Sequence, residues 1–341
     1  MKRYSIKDVA KIANVSISTV SHALNNSRYV KKETKEKIQE VVNILNYKPS
    51  KIAAALRRKT INLIAVSVAT IESQFSSKLI IGINKVALEN DFHTILVNNF
   101  YDKKEEEKII ESIKNQFIDG IVFVSGLDNN ECINNLYNYG LPFVLIGRKV
   151  GSKYPHILVD NCQASRKVIK FLTGFNHKKI GYLTMTFNGQ TTLTERFKGY
   201  KEGLEEQRIP YNSEYVVIGD TRIPDEMQQG YILCSRHFKN AEVPTALFCA
   251  TDNLAAGAYS YFKERGFKIP SDISIFGFDN LPVGKFLEPP LTTMNQPKEE
   301  MGELGMQMLI NILRKKESVK KSILLETNII KRKSVTYPSS K

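Results

Sequence analysis

Arg196 lies in the helical pattern TTLTERFKGYKEGL, and Asp279 closes the apolar run DISIFGF. A guanidinium presents a rigid fork of N–H donors and a carboxylate only accepts. Converging in a cleft, the two can order a small ligand whose hydroxyls both donate and accept. A second set of reactive groups stands near the N-terminus, where Ile17, Ser18, Ser21 and His22 share one side of a short helical pattern. An apolar side chain, two hydroxyls and an imidazole in that arrangement suit contacts to base edges and phosphates.

The elements that must position this second set are short. Ser5-Ile6-Lys7-Asp8 has capping-box spacing ahead of a helix over 6–13 whose apolar side is Ile6, Val9, Ala10 and Ala13. Asn14-Val15-Ser16 follows as a turn, Asn being tolerated in the left-handed region and Ser16 being free to cap what comes next. The second helix, 17–24, turns Val20 and Leu24 inward, and a third, 32–45, supplies Ile38, Val41, Val42 and Leu45 to a shared core. Two helices joined by a tight turn and braced by a third describe a helix-turn-helix, an all-α head whose second helix enters the major groove. Charge agrees with this. Residues 1–60 hold fourteen Lys and Arg against four acidic residues, a net +10 of the chain's +14, while the other 281 residues carry +4. Such a basic segment on a nearly neutral body points to a polyanionic partner for one end and a different task for the other.

Beyond Thr60, apolar strand-like runs (INLIAVSV, HTILVN, GIVFVS, PFVLIG, HILVD, KIGYLTM, YVVI, TALFC, DISIFGF) alternate with helical stretches, the first near 78–89 and 103–116. That rhythm specifies parallel α/β sheets, and the strands are too numerous for one sheet, so two lobes are expected. Ligands of open α/β sheets bind at the carboxyl ends of strands, which here would border the cleft between lobes. Polar residues stand at those ends: Ser125, Asp160, Asn161, Thr251, Asp252, Asp279 and Asn280. For Asp160, Asn161 and Asp252 the reading adopted is helix capping.

The string IKDVAKIANVSISTVSHALNNSRYVKKETKEKIQEVVNILNYKPSKIAAALRR resembles the lactose-repressor/galactose-repressor (LacI/GalR) family of bacterial transcription regulators. LPFVLIGRK, ILVDN, HKKIGYL, TERFKGYKEGL, ATDNLAAGAY, DISIFGFDN and PPLTTMNQPKEEMG resemble later family motifs in family order. The resemblance implies base-reading roles for Ile17, Ser18 and His22, and backbone or phosphate contacts for Ser16, Thr19, Ser21, Asn25, Tyr29 and Thr34. It also implies a hinge helix over 50–58 that wedges Leu56 into a minor-groove step. Nine residues are fewer than the ~12–15 of a marginally stable isolated helix, so this hinge would fold only with help. In the body the resemblance implies two doubly wound, periplasmic-binding-protein-type lobes. Arg196, Asp279 and Thr251 would touch an effector there, and Phe75 would stack on it.

Where purine-binding relatives carry a second Arg, this chain has Gln190, which favours a sugar or sugar phosphate as the small-molecule effector. His22 replaces a frequent Arg, which removes an Arg-type bidentate contact to guanine. Gly147-Arg148 departs from the frequent Asp-Arg. The implied organisation is a head over 1–46, linker and hinge over 47–60, a first lobe over 61–161 with 293–322, and a second over 162–292 with 323–341. No Leu-heptad helix follows Tyr337, so the expected partners are a second copy of the chain in a homodimer and double-stranded, near-palindromic operator DNA. The resemblance leaves open a phosphoprotein co-regulator.

Other classes fit less well. The sequence has no GxGxxG after its first strand, no GxxxxGK[ST], no GxSxG and no HExxH, so the expectation is a protein that is not an enzyme and needs no cofactor. Cys132, Cys162, Cys234 and Cys249 match no zinc or disulfide spacing and read as reduced thiols. No apolar run reaches the ~18 residues of a membrane span, and the basic start lacks the apolar core of a secretory leader. A cytoplasmic protein with no membrane partner is therefore expected. The alternative, a solute-binding protein for sugar uptake with the same two-lobed body, would carry a leader in place of a basic helix-turn-helix.

Overall fold

The computed structural model describes residues 4–25, 28–47, 61–100, 102–114, 118–124, 130–151, 153–187, 191–219, 225–315 and 322–339. The expected hinge with Leu56, and the expected cleft residues Ser125 and Gln190, lie outside the described residues, as does the side chain of Asn25. The chain divides into two compact units, Met1–Ile61 and Asn62–Lys341.

In the first unit, α1 (Ile6–Ala13), α2 (Ile17–Asn25) and α3 (Lys32–Ile44) follow the expected order. The Asp8 carboxylate accepts from the Ser5 amide at 2.7 Å and from its hydroxyl at 2.8 Å, closing the start of α1. Asn14 ends that helix in the left-handed conformation, φ 55° and ψ 48°, which Asn enters more readily than bulkier residues. Val9, Ala13, Val20 and Ile38 are almost completely buried and form the small core, with Ala10, Ala23, Val41 and Val42 around them.

The second unit runs β1 (Leu63–Val68), α4 (Gln74–Glu89), β2 (His93–Asn98), α5 (Lys103–Lys114), β3 (Gly120–Val124), α6 (Asn130–Tyr139), β4 (Phe143–Ile146), β5 (His156–Val159), α7 (Asn161–Gly174) and β6 (Ile180–Thr184). It continues with α8 (Thr191–Glu206), β7 (Val216–Ile218), α9 (Glu226–His237), β8 (Ala246–Cys249), α10 (Asp252–Glu264), β9 (Ser274–Asp279), α11 (Val283–Phe286), β10 (Thr292–Asn295), α12 (Lys298–Leu313), β11 (Ser322–Leu325) and β12 (Asn328–Ile330). Helix α4 begins four residues before the sequence pattern suggested, because the Ser73 hydroxyl accepts the Ser76 amide and caps it there.

Two six-stranded sheets result, in the orders β2-β1-β3-β4-β5-β11 and β7-β6-β8-β9-β10-β12. All neighbours are parallel except β10 and β12, so the second sheet departs from the expected all-parallel arrangement at one edge. Within each sheet the order reverses beside the first strand, β1 or β6, and crevices for ligands open at the carboxyl ends of strands beside such a switch point. The central strands β3, β4, β6, β8 and β9 are buried along their whole length, which explains why they read as unbroken apolar runs rather than alternating ones.

The chain passes between the sheets three times. The last two passages fall a few residues later than expected: β10 belongs to the second sheet and β11 to the first, so the changes come after 295 and after 325. Helix α12 returns to the first sheet and lies against α4 so closely that a Cβ on Gly82 would sit 2.1 Å from the Glu299 carbonyl oxygen. One on Gly302 would sit 2.1 Å from that of Leu79.

Candidate functional site

On the head, the expected DNA-facing residues Ser16, Ile17, Ser18, Thr19, Ser21 and His22 lie on α2 and at its start. The Ser16 Oγ accepts the Thr19 amide at 3.1 Å, the capping role the sequence suggested, and also exchanges hydrogen bonds with the hydroxyls of Ser18 (2.7 Å) and Thr19 (2.8 Å). Ile17 is 38 % exposed and Ser18 is exposed, whereas Val20 and Ala23 face the core. Ser21 and His22 are half-buried at the edge of the same face, and Thr34 occupies the first turn of α3. Tyr29, between α2 and α3, is 91 % exposed, an unusual position for a large ring in a small domain and one available to a phosphate or sugar.

In the body, a cleft lies at the strand ends of the two sheets. Its described lining includes Ser73, Phe75 and Gly147 from the first lobe and Met185, Arg196, Glu226, Thr251, Asp279 and Gln296 from the second. Arg196 and Asp279 meet there, as expected. Arg196 is 6 % and Asp279 5 % exposed, and an Arg196 terminal nitrogen stands 3.5 Å from the Asp279 Oδ1. The rest of the guanidinium is held by chain segments far apart in sequence: Nε donates to the Asn161 Oδ1 at 2.9 Å, and the other terminal nitrogen donates to the Ala250 carbonyl at 2.6 Å. The Phe278 ring centre lies 3.7 Å from the guanidinium carbon, adding a cation–π contact.

Asp279 occupies a strained backbone position, φ 112°, fixed from both ends. Gln296 donates to its carboxylate at 2.5 Å, and the Lys298 ammonium donates to its carbonyl and, at 3.1 Å, to that of Gln296. Burial pushes the Asp279 carboxyl above the usual carboxylate range, opposed by the charges of Arg196 and Lys298 and by the Gln296 hydrogen bond. Burial likewise lowers Lys298.

Thr251 does two things at once. Its hydroxyl accepts the Leu254 amide at 3.2 Å, capping α10, and donates to the Glu226 carboxylate at 2.9 Å. Phe75 packs partly on the first lobe's core and presents its remaining face to the cleft.

The capping interpretation fits Asp160, whose carboxylate accepts the Gln163 amide at 2.8 Å, but not its two companions. Asn161 instead clamps Arg196. Asp252 accepts the Leu281 amide and the Thr293 hydroxyl, both at 2.6 Å, and so fastens the segment after β9. Completely buried, Asp252 is pushed up to about 8, first by burial and then by the charge of Asp279.

Glu226 and Gln296 were missed from sequence. Gln296 follows β10, and the LTTMN leading to it holds only two apolar residues, so no apolar run marks that strand. Glu226 is the first helical residue after the Asp225 cap, where an acid is unremarkable, and nothing in its local pattern marks it. Among the described residues no group of three or more His, Cys, Asp or Glu could hold a metal ion, and no helix is long and apolar enough to cross a membrane.

A helix-turn-helix head joined to a two-lobed body with a polar cleft at its strand ends defines a DNA-binding transcriptional regulator that answers to a small molecule. Comparison with known proteins makes the assignment specific. Residues 5–50 match the model of bacterial regulatory proteins of the lacI family, and residues 169–335 match a periplasmic binding protein-like domain. The HTH-type transcriptional repressor PurR of Mannheimia succiniciproducens is 30 % identical over 97 % of this chain and 98 % of its own. The ribose operon repressor of Haemophilus influenzae is 28 % identical over the same shares. In fold, the crystal structure of the lac repressor dimer bound to operator and the anti-inducer ONPF superposes with a TM-score of 0.85, covering 98 % of this chain and 100 % of that one at 22 % identity. The chain belongs to the lacI family of bacterial regulatory proteins.

Proposed function

We propose that this regulator is a repressor that binds a near-palindromic operator as a homodimer and changes its operator affinity when a sugar or sugar phosphate occupies the cleft between its lobes. The observation that carries the effector half is the meeting of Arg196 and Asp279, two buried, oppositely charged groups from different segments, at a cleft bordered by strand ends of both sheets. Thr251 and Phe75 complete the contact set, the first as a hydroxyl partner and the second as a stacking face, with Ser125 and Gln190 as further members. The name of the ribose operon repressor supports a sugar-related effector.

In the DNA-binding half, Ile17, Ser18 and His22 read bases, while Ser16, Thr19, Ser21, Asn25, Tyr29 and Thr34 hold the backbone. Leu56 is the minor-groove wedge. Binding should weaken steeply with salt, because each neutralised phosphate releases counterions. His22→Ala should relax preference at one base pair per half-site by ~1–3 kcal/mol, whereas Tyr29→Ala should weaken all sequences alike. A gel-shift series on operators substituted one position at a time makes the measurement; a His22→Ala protein with an unchanged base preference at every position would remove His22 from the reading set.

A further inference from the structure

Among the described residues that line it, the proposed cleft carries two acids to one cation. Of its described lining residues, Arg196 is the one cation, while Glu226 and Asp279 are both carboxylates. Arg196 is also largely committed: it donates to Asn161 and Ala250 and faces Asp279, so its fork is not presented whole to a ligand. Lys298 stands behind Asp279, with its ammonium turned to main-chain oxygens of Asp279 and Gln296. The charges it feels are those of Asp279 and the buried Asp252, which favour its charged form, and of Lys78, which opposes it.

We infer that Glu226 is a specificity-determining residue of the cleft, and that with Asp279 it selects an uncharged polyhydroxylated ligand, a free sugar, against the corresponding phosphate ester. This rests on the reading of the cleft as the effector site and narrows it. A sugar hydroxyl donates to a carboxylate and accepts from a guanidinium or from Gln296, so one neutral ligand satisfies both kinds of group. A phosphate monoester carries roughly −1.5 to −2 charge and oxygens that only accept. It would meet the charge of two carboxylates and one arginine already engaged. Thr251 sharpens the point: its hydroxyl proton goes to Glu226, so that hydroxyl is spent holding the acid rather than offered to an anion. Glu226 is accordingly raised above the usual carboxylate range, first by burial and then by the charge of Asp279. Donation from ligand hydroxyls supplies what the pair lacks.

The test is calorimetry on the full-length protein with matched probes: ribose and ribose 5-phosphate, glucose and glucose 6-phosphate, cellobiose, and inorganic phosphate alone. The expected result is binding of at least one neutral sugar, with its phosphate weaker by about 30-fold or more, the scale of a like-charge penalty in a binding site. Glu226→Gln, which keeps the shape and can still accept from Thr251, should narrow that ratio about tenfold or more; its thermal transition, compared with wild type, establishes that it folds. A phosphate ester binding as tightly as its parent sugar would overturn the selection while leaving the cleft an effector site. An unchanged ratio in folded Glu226→Gln would overturn the role of Glu226. If no sugar and no phosphate binds, the effector reading fails along with the inference built on it.

Discussion

Each lobe buries one arginine against one carboxylate, and the two pairs are built to opposite ends. In the first lobe, Arg148 and Glu106 are 1 % and 2 % exposed and meet through two hydrogen bonds, 2.5 Å and 3.2 Å, one to each carboxylate oxygen. The fork is closed on a single partner, beside the Phe123 ring at 5.7 Å. In the second lobe, Arg196 divides its donors among Asn161, Ala250 and Asp279, and its acid stands at 3.5 Å on the wall of the cleft. A closed pair holds a core in one arrangement. An open pair leaves its acid on the wall of the cleft, where a ligand can reach it.

The largest effect should come from breaking the closed pair. Arg148→Ala strands Glu106 as a buried unpaired charge and should destabilise the body by ~3–5 kcal/mol, read from chemical denaturation. The double change Arg148→Met with Glu106→Leu should recover most of that loss. A single Arg148→Ala costing under ~1 kcal/mol would mean that the two pairs do not differ as described.

Next, Arg196→Ala should lower effector affinity by about 10- to 150-fold, the loss of a charged hydrogen bond worth ~1.5–3 kcal/mol. It should destabilise less than Arg148→Ala, because water can enter the cleft beside Asp279. Equal stability losses in the two alanine variants would erase the distinction.

A pH experiment sharpens the comparison further. Asp252, behind the open pair, has a folded-state value of about 8 against an ordinary 3.8. The folded protein therefore holds this proton more tightly than the unfolded chain does. That contribution to stability is full below about pH 4 and is lost as pH rises towards 8. Asp252→Asn can still accept the Leu281 amide and donate to Thr293, and should flatten this part of the stability–pH curve with little change of fold. An unchanged slope, followed by thermal melts from pH 4 to 8, would place the titration elsewhere. The smallest effect is expected at Gly147, where β4 ends at φ 67° on the cleft wall; Gly147→Ala should cost ~1–2 kcal/mol of stability through backbone strain.

Local pattern foretold the head almost residue by residue, because its caps, turn and apolar positions are set by neighbours a few residues apart. The two-lobed body was legible for the same kind of reason: fully buried parallel strands leave long apolar runs. Arg196 and Asp279 could be picked out because each ends or follows such a pattern. What could not be read was which arginine would be closed and which open, since Arg148 and Arg196 find Glu106, Asn161 and Ala250 across 35 to 54 positions of sequence. Asp252 was misread for a related reason. Its position before a helix is that of a cap, but Thr251 already fills the role, and Asp252 turns instead to Leu281 and Thr293, 29 and 41 residues on.

The late return of the chain to its first sheet governs the order in which this protein can be assembled on a ribosome. Strand β11 pairs with β5 across 166 positions, Ser322 opposite His156, and α12 delivers Met301, Met306, Leu309 and Ile310 to the first core. Until those residues have been synthesised, the first lobe lacks an edge strand and the helix that covers Gly82, however long its earlier parts have been outside the exit tunnel. The head needs nothing beyond its own helices and can fold as soon as it emerges. At ~5–20 residues per second, the first lobe then waits roughly 8–33 s for its last elements while the second is being made. During that interval the nascent chain exposes the apolar face of α4, the surface a chaperone would have to shield.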